Sequence, residues 1–413
     1  MKLIFDLRNL IFILFGFAIP VSVALTNYLI IIFIVIWLVI GIYDLVIDGD
    51  FYRKISYFNS LKWLWSIIGL VLFYFFALLY GDNHDDATYV IQRICLLLFF
   101  IPLATSKFTQ LTYRYAVLVF LTTNLLAAFI SIAIKNNIIN DLHNYLPEDI
   151  ISSQSSVSAF LKYNYHNILL SFSCLLSFTL FTKSQSKYSF IYLILILIYS
   201  ISIFSEAGRA GYLTFNIFFI IYAIYFLKKR IVYSISLVCF LIAVNVCSYV
   251  KSETYLHRIK NLKHIVQNNG QKKNKKSVKG EIDIRYTFTK ESLKLISKQP
   301  FLGYGTGSFI SVFSESIDSK HTFKKHKTPH NNFLYIFFEI GFLGLLVFLS
   351  LFYFQIKDLI SNKSTTLDIL ILPFFYLFLM LFDSYLFIFT ITIFYIFMYT
   401  IYKGYDMDKK YIL

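Results

Sequence analysis

The chain has 413 residues, 58% of them hydrophobic and 20% aromatic, with a mean hydropathy of +0.66 and a formal net charge of +15. Only 15% of positions are charged, against roughly a quarter in soluble domains, so a water-soluble globular fold is excluded and a polytopic membrane protein is expected. The four cysteines (Cys95, Cys174, Cys239, Cys247) lie in apolar stretches without metal-ligand spacing and read as small buried hydrophobes.

A helix that crosses the hydrocarbon core needs about 20 mainly apolar residues. Such runs fall at 9–26, 28–47, 62–80, 89–105, 115–134, 165–182, 190–204, 212–227, 231–250, 332–354, 368–383 and 385–402. The expected fold is therefore all-α, with about 12 transmembrane helices. Lys2 and Arg8 flank the start of the first run and no small-residue cleavage site follows, so it reads as a retained helix. Orientation follows from basic residues in short loops. With the N-terminus inside, Arg53, Lys54, Lys107, Arg114, Lys183, Lys187, Lys228 to Arg230, Lys357 and Lys363 all fall on the cytoplasmic side. Both termini are then cytoplasmic.

This layout divides the chain into spans 1–9 (residues 1–250), an outer loop (251–331), spans 10–12 (332–402) and a tail (403–413). The outer loop carries 17 Lys or Arg against 6 Asp or Glu, a surplus suited to anionic lipid head groups. No nucleic-acid partner is expected. Its stretch "NNGQKKNKKSVKG" has no apolar period and reads as a solvated basic loop. After it, Ile282, Tyr286, Thr289, Leu293 and Ile296 recur at helical spacing ahead of Pro300, which predicts an amphipathic helix along the membrane surface.

Three outer-side groups share a placement near the start of a helix: Arg209 in "SEAGRAG", Arg285 in the first turn of the amphipathic helix, and His330 just before span 10. Helix N-termini offer unpaired N–H groups and a positive dipole end, so they hold anions. Two arginines added there suit a pyrophosphate, because the planar guanidinium pairs phosphate oxygens in bidentate fashion. The same positive surroundings favour a neutral imidazole, which can accept a hydroxyl proton. Each residue also has a plainer reading: Arg209 pairing with Glu206, Arg285 with Asp283 or Glu281, and His330 as an interfacial or capping residue.

Other candidates are weaker. Arg93 sits about one turn inside span 4, where a charge is costly and is either paired, functional or reaching to the head groups. Asp383 lies between spans 11 and 12, placed to orient an arginine or histidine. Glu339 reads as a structural hydrogen-bonding group two turns into span 10. Gly303, Gly305 and Gly307 in "FLGYGTGSF" predict a tight, mobile turn and not a nucleotide loop, since no Walker Lys-Ser/Thr follows. The "GDNHDD" loop gathers Asp82, His84, Asp85 and Asp86 but reads as a polar connection. No metal site is expected.

Together, "SEAGRAGYLTF", "IRYTFTKESLKLISKQPFLGYGTGSF" and "TPHNNFLYIFFEIGFLGLL" resemble the O-antigen ligase and polymerase superfamily over residues 200–350. The resemblance implies a GT-C-like glycosyltransferase acting at the periplasmic face of the bacterial inner membrane, without cofactor or metal and with inversion. Its donor would be undecaprenyl-pyrophosphate-linked O-antigen and its acceptor a lipid A-core sugar hydroxyl. The ligases' two essential arginines and their histidine match Arg209, Arg285 and His330. Arg93, Asn331 and Asp383 complete the expected substrate-binding set. One departure is Gly208, which stands where many relatives have Ser or Thr before the arginine. An O-antigen polymerase is the near alternative. A twelve-span transporter is the more distant one, since ionisable residues here keep to the ends of the spans.

Overall fold

The computed structural model describes residues 2–48, 51–81, 84–139, 157–184, 186–252, 255–256, 281–316, 328–361 and 367–404. Its helices up to the middle of the chain are α1 (Lys2–Val21), α2 (Val23–Tyr43), α3 (Phe51–Ser60), α4 (Lys62–Phe76), α5 (His84–Cys95), α6 (Phe100–Thr105), α7 (Gln110–Lys135) and α8 (Tyr163–Lys183). There follow α9 (Phe190–Ser205), α10 (Arg209–Leu227), α11 (Ile231–Lys251), α12 (Glu281–Ile296), α13 (Phe309–Ser316), α14 (Asn332–Ser361), α15 (Leu367–Leu379) and α16 (Phe389–Gly404). The only strands among the described residues are β1 (Val157–Ser158) and β2 (Leu161–Lys162), paired antiparallel.

Each expected apolar run coincides with helical segments. Eight helices among the described residues are long and apolar enough to cross a membrane, and three apolar helices are shorter. The protein is a polytopic, nearly all-helical membrane protein. Large apolar side chains such as Ile31, Leu197 and Ile235 are exposed along these helices, as expected where the surrounding solvent is lipid. The basic stretch 268–280, Asp82 and Asn83 of the loop before α5, and the tail 405–413 lie outside the described residues.

The chain forms two compact units. One gathers residues 2–33, 108–274 and 404–413. Its hub is α8: 83% of the apolar window of α8 is buried, against 17% for α11, so α8 packs on all sides and α11 on one. Ser171, Ser173 and Ser177 are fully buried on α8, and such small residues let neighbouring backbones approach closely. In the same unit α7 begins at Thr109, whose hydroxyl accepts the Thr112 N–H at 3.1 Å, satisfying one of the donors that a helix start leaves unpaired.

The other unit gathers residues 34–107 and 275–403. Here α4 packs along α14, and α12 and α13 lean on α14. Tyr376 of α15 stacks on Tyr395 of α16, with ring centroids 4.2 Å apart. At the C-terminal end of α14, Asp358 accepts from Lys403 Nζ at 2.7 Å and from the Trp63 indole N–H at 3.2 Å, tying three helices together.

Within α14 the helix breaks at Gly341, whose φ is +66°. A break inside a membrane exposes backbone groups that lipid cannot pair, and here another part of the chain pairs them. The Phe342 N–H donates to Pro300 O at 2.8 Å, while the N–H groups of Tyr304 and Gly305 donate to the carbonyls of Phe338 and Glu339 at 2.9 Å each. The turn that does this needs φ of +71°, +95° and +80° at Gly303, Gly305 and Gly307, conformations open to glycine without strain. Thr306 completes the seat, its N–H reaching Ala77 O at 3.1 Å and its hydroxyl Tyr74 O at 2.6 Å. The expected tight turn is present, but its backbone is bound on two sides where a mobile loop was expected.

Candidate active site

The polar residues ahead of α14 are held by the connection between α15 and α16. Asn331 caps α14, its Oδ1 accepting the Leu334 N–H at 3.1 Å, and its Nδ2 donates to Leu381 O at 3.3 Å. The buried Asn332 donates its N–H to Met380 O at 2.9 Å and accepts the Leu386 N–H on Oδ1 at 3.1 Å. These bonds bring residues 380–386 against residues 330–332.

His330 and Asp383 therefore meet, with His330 Nδ1 and Asp383 Oδ1 3.0 Å apart. Asp383 Oδ1 also accepts the Ser384 N–H at 2.8 Å. Burial works to raise the pKa of Asp383, but the hydrogen bond and charge of His330, the Ser384 N–H and the charge of Arg285 together hold it below the usual carboxylate value. An anionic Asp383 accepts the proton on Nδ1, and this tautomer places the imidazole lone pair on Nε2. His330 itself has φ +54°, a left-handed conformation uncommon for a residue with a side chain and frequent at functional positions.

The predicted amphipathic helix is present as α12 and supplies the third member. Arg285 is exposed on it and near enough for its charge to act on Asp383. One turn further on, the buried Phe288 meets the His330 ring edge to face, with centroids 5.9 Å apart. The packed face of α12 differs from the expected stripe. Phe288, Ser292, Leu295 and Ile296 are buried, whereas Tyr286 and Leu293 are 68% and 48% exposed. Phe288 decides this by packing against Phe313 of α13, the rings tilted by 34° with centroids 5.0 Å apart, a tertiary contact that helical spacing alone does not register.

The remaining candidates are placed as follows. Arg93 is half-buried on α5 with its guanidinium carbon 5.1 Å from the Tyr89 ring. That helix packs on the turn Tyr385–Phe387, just beyond Asp383. Asp85 and Asp86 lie in the first turn of α5, where acidic residues suit the helix dipole. Glu339 is fully buried and accepts the Gly307 N–H at 3.0 Å, the structural hydrogen bond expected of it. Arg209 is the first residue of α10, in the other unit, and half-buried. So His330, Arg285 and Asp383 come together within one unit, whereas Arg209 stands in the other.

Residues 193–349 match the sequence profile of the family described as O-Antigen ligase. The match covers less than half of the chain. The matched region runs from α9 into α14 and contains Arg209, Arg285 and His330, while Asp383 and Arg93 fall outside it. A protein of Rickettsia felis provisionally named a polysaccharide ligase is 37% identical over 75 residues, which cover 17% of this chain and 18% of that relative.

Proposed function

We propose that the protein is an O-antigen ligase, transferring glycan from undecaprenyl pyrophosphate to a lipid A-core sugar hydroxyl at the periplasmic face of the inner membrane. The observation that carries this reading is the His330–Asp383 pair beside Arg285 at the start of a membrane helix. Asp383 holds the imidazole with Nε2 as the proton acceptor. The acceptor hydroxyl gives its proton to Nε2 as its oxygen bonds to the sugar C1, and the C1–O bond to pyrophosphate breaks with its electron pair leaving on the pyrophosphate oxygen. Arg285 and Arg209 hold that developing charge, a task suited to planar, permanently charged groups. Attack on the face opposite the leaving group inverts the anomeric centre. Pyrophosphate is already a good leaving group, so the reading calls on neither a metal nor the carboxylate pair of a glycosidase.

In this proposal the fold has about 12 spans in a GT-C-like arrangement, both termini are cytoplasmic, and residues 251–331 form the periplasmic loop. Arg93 and Asn331 complete the substrate-binding set. The test is a lipopolysaccharide gel from a strain deleted for the gene. Loss of all O-antigen with accumulation of lipid-linked polymer is the expected result. A core bearing a single repeat would reassign the protein as a polymerase, and an unchanged profile would exclude both.

A further inference from the structure

The departure at Gly208 has a structural counterpart. Gly208 has φ −74°, a value open to any residue, so its backbone does not call for glycine. Space does. A Cβ at Gly208 would lie 2.5 Å from Asn167 Nδ2 and 3.0 Å from Asn167 Cβ, and a Cβ at Gly211 would lie 2.4 Å from Asn167 Cβ. Asn167 is fully buried in the first turns of α8. It thus fills the space between two glycines that flank Arg209 in the sequence.

Asn167 is also bonded to this turn. Its Nδ2 donates to Ile203 O at 3.1 Å and to Gly208 O at 3.5 Å. One turn along α8, the Ser171 hydroxyl donates to Gly211 O at 2.9 Å. A single helix face therefore holds the last turn of α9, the connection, and the first turn of α10. These bonds go to backbone carbonyls, so they set the direction in which α10 starts and hence where Arg209 stands.

We infer that Asn167 is a positioning residue for Arg209, and that Asn167 and Gly208 form a matched pair in which the side chain on α8 occupies the space a serine or threonine would take before the arginine. This rests on the ligase reading, in which Arg209 holds the donor pyrophosphate. Asn167 touches no substrate; it acts by fixing the backbone that carries the guanidinium. The amide is needed as a donor. Asn167→Asp would turn an oxygen towards two carbonyl oxygens and is expected to be more damaging than Asn167→Ala.

The experiment uses the full-length protein in detergent or nanodiscs, with undecaprenyl-pyrophosphate-linked glycan as donor and lipid A-core as acceptor. Asn167→Ala is expected to raise the half-saturating donor concentration about tenfold while leaving that of the acceptor unchanged. In an Arg209→Ala background it should add no further loss. Gly208→Ser should lose about tenfold on its own and regain at least half of that, on a logarithmic scale, when combined with Asn167→Ala. Gly211→Ala should not be rescued in this way, because the atom in its path is Asn167 Cβ. Hydrogen exchange across residues 204–213 should quicken in Asn167→Ala.

Unchanged exchange and donor saturation in Asn167→Ala would overturn the inference while the ligase reading stands. So would a further tenfold loss when Asn167→Ala is added to Arg209→Ala. A wild-type protein that transfers no glycan to lipid A-core would remove the ligase reading, and the inference with it.

Discussion

His330 Nδ1 and Asp383 Oδ1 lie 3.0 Å apart although 53 residues separate them in the chain. The bonds of the Asn332 backbone N–H to Met380 O and of the Leu386 N–H to Asn332 Oδ1 hold the two segments in register, so the pair is built by the junction of three helices and not by a local turn. Arg285 adds its charge to the same carboxylate from α12. In the proposed mechanism a general base, the group that orients it and an anion-holding arginine are thereby assembled in one unit.

The carboxylate of Asp383 supplies a pH dependence with a defined sign. Its pKa is held below the ordinary value by His330, the Ser384 N–H and Arg285, against the effect of burial. A carboxylate with a depressed folded-state value contributes stability above its unfolded value, about 3.9, and loses it as pH falls through the lower folded value. Thermal unfolding of the detergent-solubilised protein from neutral pH downward should show the midpoint falling in that acidic window. Asp383→Asn should flatten this fall and slow glycan transfer by on the order of 10²-fold, within the range usual for acid–base assistance.

The positive φ of His330 makes asparagine the informative replacement, since Asn tolerates the left-handed region better than Ala does. His330→Asn is expected to lower the thermal midpoint only by the lost bond to Asp383, and less than His330→Ala does, yet to lose about 10²- to 10⁴-fold in transfer rate. Restored capping of lipopolysaccharide by this variant in a deletion strain would remove His330 from the chemistry.

Arg285 is expected to act by charge on Asp383 and by shape on the donor. Arg285→Lys keeps the charge and loses the planar fork, so the acid-side unfolding profile should persist while transfer falls about tenfold or more, the loss of one charge-assisted hydrogen bond being worth about 1.5–3 kcal/mol. Arg285→Gln should change both. Equal transfer rates for wild type and Arg285→Lys would argue against bidentate pairing.

The broken helix α14 makes a stability prediction independent of function. A Cβ at Gly341 would lie 2.1 Å from Phe301 O at a φ of +66°, so Gly341→Ala is expected to cost more than about 2 kcal/mol from backbone strain and the displaced turn together. Glu339→Ala, which strips the Gly307 N–H of its buried acceptor, should cost about 1–3 kcal/mol. Both are read as lowered thermal midpoints and faster proteolysis within 300–307. An unchanged midpoint in Gly341→Ala would show that the turn and the kink are not one unit.

Several features were legible in the residue order because their physics is local. Runs of about 20 apolar residues must form helices in lipid, where backbone groups can pair only within their own segment. The period ahead of Pro300 announced α12, and the motifs from α9 into α14 announced the match to the O-antigen ligase profile, a stretch that contains Arg209, Arg285 and His330. Asp383 could be named as a group able to orient a partner, but not which partner, because that is decided by hydrogen bonds between segments remote in the chain. The same limit applies to the inward face of α12, chosen by Phe288 against Phe313 and His330. It applies to the three glycines before α13, whose turn pairs the broken backbone of α14, and to Gly208, whose reason lies on α8 in Asn167. Hydropathy and helical period determine which segments become helices, whereas contact between side chains and backbone far apart in sequence determines which faces meet and so where the chemistry can occur.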